Sequence, residues 1–218
     1  MPVPVMPRVL YCKSIVEATY KSVNLIMNEG KIGKDERGDK VKYYKHLIIV
    51  IPVDGCTDSD DKLTSLCDAA FAENLITGKP SGSGIQAHEY TYGEELHSDN
   101  GLEKTIDKLK EHPETRRAVI PLFKTKHIDG KEVPCMITVV FDIESDEDDD
   151  YLNITIFGRS NEMAIATKSD IKGYAELAKY VARRLGIKNG TLLLHDVNAH
   201  CRIGSDIDTI KRILREGY

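Results

Sequence analysis

The sequence predicts an α/β (α+β) protein folded as one domain over residues 1–218, and three observations carry that reading. Apolar runs of strand length, rich in Val and Ile, alternate with amphipathic helical patterns along the whole chain. No repeat, low-complexity linker or composition break divides the 218 residues. Hydrophobic residues make up 41% and charged residues 30%, which supports a sizeable soluble core and argues against global disorder.

The elements follow in order. "SIVEATYKSVNLIMNE" (14–29) places Ile15, Ala18, Val23 and Ile26 on one helical face and stops at Gly30. "GKIGKDERGDK" reads as a polar loop, and "HLIIVIPV" (46–53) as a buried strand. "DDKLTSLCDAAFAENLI" is a second amphipathic helix whose acidic first turn suits the helix dipole. "KPSGSGIQ" reads as a loop. "GLEKTIDKLKEH" repeats Leu102, Ile106 and Leu109 at helical spacing and ends at Pro113. "RRAVIPLF" is strand-like, with Pro121 pointing to an edge or a bulge. "DIKGYAELAKYVARRLG" carries a stripe of Ile171, Tyr174, Leu177, Ala178, Val181 and Leu185, with Ser169 or Asp170 available as its cap. "GTLLLHDVNAHC" (190–201) reads as a buried strand that delivers polar residues at its far end.

Composition also narrows the function. A net charge of −5 argues against a general binder of nucleic-acid polymers. Five cysteines without a CxxC do not form a disulfide framework. "MPVPVMPRVLYC" lacks the charged start and apolar stretch of a signal peptide, and no run reaches membrane-spanning length. A soluble, reducing, cytoplasmic setting is the expectation. His195, His200 and Cys201 lack a second ligand pair at zinc-like spacing, and "ESDEDDD" lacks the glycine and terminal glutamate of an EF-hand, so no metal is expected.

The chemistry concentrates around "KEVPCMITVVF" (131–141). "MITVVFDI" (136–143) and "YLNITIFG" (151–158) are two β-rich runs joined by the acidic turn. An antiparallel hairpin with Ile143 opposite Tyr151 sets Cys135 opposite Arg159, because paired indices keep a constant sum. A guanidinium facing a thiol favours the thiolate, the nucleophilic form. A buried structural cysteine is the alternative reading.

"VPC", "FGRSNEM", "SDIKGYAELAKYVARRLGIKNG" and "HDVNAHC", in that order and spacing, resemble the C-terminal catalytic half of thymidylate synthases. Upstream, "YTYGEEL" resembles that family's Tyr-Gly-x-x-Trp segment, "EHPETRRAVI" its Arg-Arg motif, and "NEGKIGKDERGDK" faintly its phosphate loop. The likeness is specific across about 90–218. It implies a large mixed sheet with long helices packed on one face, in homodimers with sheets back to back. It also implies transfer of a one-carbon unit to C5 of a pyrimidine deoxynucleotide monophosphate, dUMP to dTMP, from a reduced pterin. Cys135 would add to C6 of the ring. Arg159 would steady the sulfur and hold phosphate with Arg37, Arg116, Arg117 and Ser160, the Arg-Arg pair reaching into the partner subunit. Tyr92 and His200 would stand near the polar edge of the base. Glu73 is the candidate catalytic glutamate, with Asp60 or Asp61 as alternatives.

The departures bear on substrate. Asp170 stands where the family reads the base with asparagine; aspartate there marks deoxycytidylate hydroxymethylases, so a dCMP hydroxymethylase is the alternative activity. A helix cap is the plain reading of the same residue. Arg202 replaces a tyrosine that contacts the sugar, and Glu162 an aspartate. The chain has no Trp and stops at Tyr218, where the family continues over folate, so a folate pocket of the usual build is not expected. The donor would be methylenetetrahydrofolate or a methanopterin-type analogue, as expected of archaeal-type members. From a third class, a nucleotide binder without turnover would keep the phosphate cradle but would need no activated thiol.

Overall fold

A computed structural model describes residues 6–57, 66–79 and 90–217. Asp60, Asp61, the start of the second helical pattern and most of the "KPSGSGIQ" loop lie outside the described residues.

The chain runs β1 (Arg8–Tyr11), α1 (Ile15–Glu29), β2 (Lys31–Lys34), β3 (Lys40–Pro52), α2 (Leu66–Thr77), α3 (Tyr92–His97) and α4 (Gly101–Glu111). It continues through β4 (Val119–Pro121), β5 (Met136–Ser145), β6 (Asp150–Gly158), β7 (Asn161–Glu162), α5 (Thr167–Leu185), β8 (Lys188–Arg202) and α6 (Ile207–Glu216). The strands form one mixed sheet in the order β1-β3-β8-β6-β5-β4, with β2 folded onto β3 and β7 onto β8. β6 and β8 run parallel, joined by the α5 crossover, while β3–β8 and β5–β6 are antiparallel.

Local chemistry explains most boundaries. Ser14 caps α1 by accepting from the Glu17 N–H at 3.2 Å, satisfying one of the orphan donors of the first turn. α5 ends at Gly186, whose φ of 73° is left-handed and cheap only for glycine. Its stripe of Ile171, Tyr174, Leu177, Ala178 and Val181 is buried on the sheet. Each large apolar side chain there contributes roughly 1.5–3 kcal/mol. Pro121 ends β4, an edge strand, where its missing N–H costs no ladder bond. The "GKIGKDERGDK" segment is not only loop: β2 pairs with β3 about a turn in which Asp35 Oδ1 accepts from the Arg37 and Asp39 N–H groups.

One face of the sheet, carrying Ile49, Ile51, Ile154, Ile156, Leu192 and Leu194, is sealed by helices. The alternate residues Ile48, Val50, Thr155, Phe157, Leu193 and His195 are only half-buried. Val9 and Tyr11 on β1 are exposed. Along β8 the buried set changes parity, from Leu192, Leu194 and Asp196 to Ala199 and Cys201. Opposite this switch lies His46 of β3, at a left-handed φ of 55°. The switch is what lets one strand bury Asp196 and then present Asn198 and His200 to an open cleft.

Candidate active site

The hairpin of β5 and β6 pairs Glu144 with Tyr151, one residue away from the register that the turn predicts. A bulge between Met136 and Thr138 then takes up one residue, so that Met136 faces Gly158. Cys135 therefore does meet Arg159: the Arg159 N–H donates to the Cys135 carbonyl at 2.8 Å. The guanidinium folds back over the same loop, donating to Pro134 O and Val133 O at 2.9 Å each, and Nη2 lies 4.0 Å from Cys135 Sγ.

Tyr92 holds the loop from the other side. Its phenolic oxygen accepts from the Cys135 N–H at 2.9 Å and the Met136 N–H at 3.1 Å. Tyr92 is itself placed by the buried Asn74 of α2, whose side chain accepts from the Gly93 N–H at 2.9 Å and donates to Thr91 Oγ1 at 3.1 Å. α3 then starts with a capping box between Thr91 and Glu94. Tyr92 thus holds the backbone of the Cys135 loop.

Cys135 is half-buried, whereas Cys12, Cys56 and Cys201 are buried. Burial pushes the Cys135 thiol up; Arg159 pulls it down, and Asp170 and Asp196 add to the upward push. Burial wins, so the arginine does not by itself make a resting thiolate. The sulfur is a shielded thiol with a cation beside it, ready to stabilise charge that develops during attack.

Two carboxyls stand behind it. Asp170 is the fourth residue of α5, which begins after Ala166 without a side-chain cap, so Asp170 does not cap the helix. Burial raises its carboxyl to about 7, against the pull of a hydrogen bond from Asn161. Asp196 is fully buried; burial, with Asp170 adding to it, raises its carboxyl to about 8. Asn161 Nδ2 lies 3.4 Å from Asp196 Oδ2, and Asp196 Oδ1 has no hydrogen-bond partner among the described residues. Gly158 makes room, since a Cβ there would lie 2.3 Å from Asp196 Oδ1.

A cleft of about 360 Å³ opens between the β2–β3 hairpin and the ends of β6 and β8. Lys34, Asp35, Tyr43, Lys45, Ser160, Asn198 and His200 line it. His200 Nδ1 is 3.4 Å from Ser160 Oγ, and burial keeps its imidazole on the neutral side. Lys45 Nζ bonds Asn198 Oδ1, and Asn198 Nδ2 donates to the Arg159 carbonyl at 2.9 Å, tying the cleft to the cysteine loop.

The residues singled out in the sequence divide accordingly. Cys135, Arg159, Tyr92, Ser160, His200 and Asp170 come together. Arg202 stands at the end of β8 with Nε 3.8 Å from Asp35, close enough to act on Cys135. Arg37 is exposed on the turn after β2. Arg116 and Arg117 are exposed ahead of the edge strand β4, whose register places them at the end of the sheet away from Cys135. Glu73 is exposed on α2 and is not among the charges that dominate at Cys135. Sequence reading passed over Asp196, Asn161, Asn198 and Lys45. Asp196 was detectable, because the alternation Leu192, Leu194, Asp196 sets a carboxyl on the apolar face of a strand.

Comparison with known proteins bears on the family and the fold. A solved thymidylate synthase from phage T4 superposes with a TM-score of 0.74 at 16% identity, covering 91% of this chain and 81% of its own. The fold is therefore that of a thymidylate synthase: an α/β protein with a mixed sheet. The thymidylate synthase family profile matches residues 78–215. A "Putative thymidylate synthase" of Methanosarcina mazei is 34% identical over 95% of both chains. One of the same name from Methanocaldococcus jannaschii is 26% identical over 93% of this chain and 94% of its own. The chain belongs to the thymidylate synthase family. Among the described residues no helix is long and apolar enough to cross a membrane, and no group of three or more His, Cys, Asp or Glu is disposed to hold a metal ion.

Proposed function

We propose that this chain methylates dUMP at C5, giving dTMP, through a covalent bond between Cys135 Sγ and C6 of the ring. The observation that carries the reading is the half-buried Cys135 sulfur with Arg159 Nη2 at 4.0 Å, beside a cleft lined by Lys34, Lys45 and Ser160. Phosphate suits that cleft, because lysine and a hydroxyl offer donors to its oxygens. Arg202, 3.8 Å from the cleft-lining Asp35, adds charge there, Arg37 on the exposed turn after β2 is the further candidate, and Arg116 and Arg117 are left for a partner's site.

Attack by sulfur breaks the C5–C6 double bond and moves the electron pair toward O4, making C5 nucleophilic. The sulfur gives up its proton as it attacks, and Arg159 stabilises the charge in transit. Once C5 has taken the one-carbon unit and lost its own proton, hydride delivered to that carbon after the donor's amine departs would expel the sulfur and restore the C5–C6 double bond. Ser160 and His200, 3.4 Å apart, are the candidates for passing these protons on.

The carbon donor is a reduced pterin, which supplies the one-carbon unit and the hydride. Half-buried Tyr90, near enough to Cys135 to feel its charge, offers an aromatic face for a flat ring to stack on. A homodimer is part of the reading, because no helix among the described residues covers the half-buried Phe157, Leu193 and Ile48 face. Asp170 favours a second reading, a dCMP hydroxymethylase, in which water replaces hydride as the quencher.

Tritium release from 5-tritiated dUMP and dCMP, with and without pterin, separates these readings. Donor-dependent release from dUMP supports the first and release from dCMP alone the second. Release from neither, with measurable nucleotide affinity, leaves a binder and refutes both.

A further inference from the structure

Two imidazoles meet on the face of the sheet that no described helix covers. His46 Nδ1 lies 3.3 Å from His195 Nε2, at the long end of a hydrogen bond, with the ring centroids 5.5 Å apart. His195 stands midway along β8, an inner strand, between Ile48 of β3 and Phe157 of β6. The Phe157 ring meets it edge to face, 4.7 Å between centroids. Half-buried Leu193 and Thr155 continue this face, and the exposed Val9 and Tyr11 of β1 extend it beside Ile48 and Val50. His46 reaches its place from a left-handed φ of 55°, a conformation in which histidine, asparagine and aspartate are enriched.

Among the described residues no ion-pair partner meets either ring. On β3, Lys45 Nζ is bonded to Asn198 in the cleft. On β8, Asp196 is buried on the opposite face. β6 brings Phe157 and Thr155, which carry no charge, and Arg159 beyond them is folded onto Pro134 O and Val133 O. On β5, Asp142 accepts from Asn153 at 3.1 Å, two pairs along the ladder from the pairing of Thr138 with Phe157. β1 brings the Tyr11 phenol, and its Arg8 is paired with Glu29.

We propose that a second copy of this chain packs on this face with His46 and His195 neutral at the interface, so that proton uptake by the pair drives the copies apart. The inference rests on the homodimer reading and adds to it a control by pH. A neutral pair is held by one N–H···N bond between the rings and asks nothing of water. One added proton leaves that bond in place, since an imidazolium still donates to a neutral ring, but it brings a full charge onto an apolar face. A second proton sets like charges 3.3 Å apart. In the separate chain water reaches both half-buried rings and solvates the charge; between two sheets the charge is stripped of that water. The paired face therefore binds fewer protons than the free one. Association is strongest above the imidazole range and is lost as pH falls through it. Burial and the neighbouring His46 already hold His195 below its ordinary value of 6.5, which sets the change on the acid side of neutrality.

The test is the dimer dissociation constant, by fluorescence-detected sedimentation from nanomolar to micromolar chain, at about pH 7.5 and about pH 5.5. Wild type is compared with the double variant His46→Asn, His195→Gln. Asparagine tolerates the left-handed backbone at 46, and glutamine keeps a neutral polar group at 195. The wild-type constant should rise by at least about tenfold on acidification, since each proton excluded from the interface is worth up to about tenfold per pH unit. The double variant should change by less than about threefold, because its remaining titrations lie off this face. A wild-type dimer indifferent to pH, or a double variant that follows wild type, would overturn the role of the pair and leave the homodimer standing. A wild type that is monomeric at both pH values removes the homodimer reading itself. Should the double variant fail to fold, the proton NMR titration of His195 in concentrated and dilute wild type decides. A lower midpoint in the concentrated sample supports the proposal, and coincident midpoints overturn it.

Discussion

Replacing Tyr92 with phenylalanine removes one oxygen atom that accepts from two backbone N–H groups, those of Cys135 and Met136. No ring volume is lost, so the cost comes from the stranded donors. A buried donor left without a partner costs about 1–3 kcal/mol, so two give roughly 2–4 kcal/mol once the loop relaxes. For a domain of this size that is a fall of about 5–15 °C in melting temperature. The functional consequence is separate from the loss of stability. These N–H groups flank the Cys135 sulfur, the proposed nucleophile, and their release lets Sγ drift from its geometry against Arg159. A displacement near 1 Å costs on the order of 100-fold in rate. Tritium release at a temperature where both proteins are folded reads that loss, and it should fall in kcat with KM for dUMP little changed. A Tyr92→Phe protein with wild-type melting and turnover within twofold would show that the phenol does not position the loop.

Other expectations follow from the same geometry. Gly158→Ala puts a methyl group 2.3 Å from Asp196 Oδ1 and 3.0 Å from Met136 Sδ, and should cost about 1–3 kcal/mol in urea denaturation; the double variant with Asp196→Gly should recover part of it. Glu95 is buried against Lys124 and Lys126, at 2.7 and 2.5 Å, and His127 at 3.3 Å. Burial pushes its carboxyl up, but the two lysine bonds outweigh burial and hold it below its ordinary value. Its contribution is therefore present above the unfolded value of about 4.3 and is lost as pH falls through the lower folded value. Glu95→Gln should cost about 1–3 kcal/mol near neutral pH, discounted for the exposed Lys126, with the gap to wild type closing in acid. An unchanged gap at about pH 3 would refute the assignment. Iodoacetamide should modify Cys135 before Cys12, Cys56 or Cys201, which are buried, the first two pushed up to about 11 and about 12. The rate should be slower than for free cysteine near pH 7 and rise with pH. A rate flat between about pH 6 and 8 would mean a resting thiolate.

The sequence shows this architecture unevenly, for physical reasons. Helices α1, α4 and α5 are plain in it because a long one-sided stripe has few other folded uses, and Ser14 and Pro113 mark their ends. β1 and β2 are four residues each, with exposed or charged side chains, and gain their pairing only from β3. Long strands outlast such gaps: β5 and β6 are evident from their β-branched runs, yet their register is not. A turn-based register and a bulge at Met136/Thr138 each shift the pairing by one, and the two cancel at Cys135. The meeting of Cys135 with Arg159 was thus reached without the bulge that produces it. The inner acids escaped notice because they depend on tertiary packing. Asn161 lies in a two-residue strand and reaches Asp196 on β8, a contact that no local pattern reveals. The glutamate has a similar difficulty, since Glu73 is exposed and Asp60 and Asp61 lie outside the described residues.

The covalent role of sulfur is tested most directly by Cys135→Ser. Phosphate and base contacts are untouched by that exchange, so dUMP affinity should remain within a few-fold of wild type, whereas tritium release from C5 should vanish. Release at a rate close to wild type from the serine protein would contradict the account.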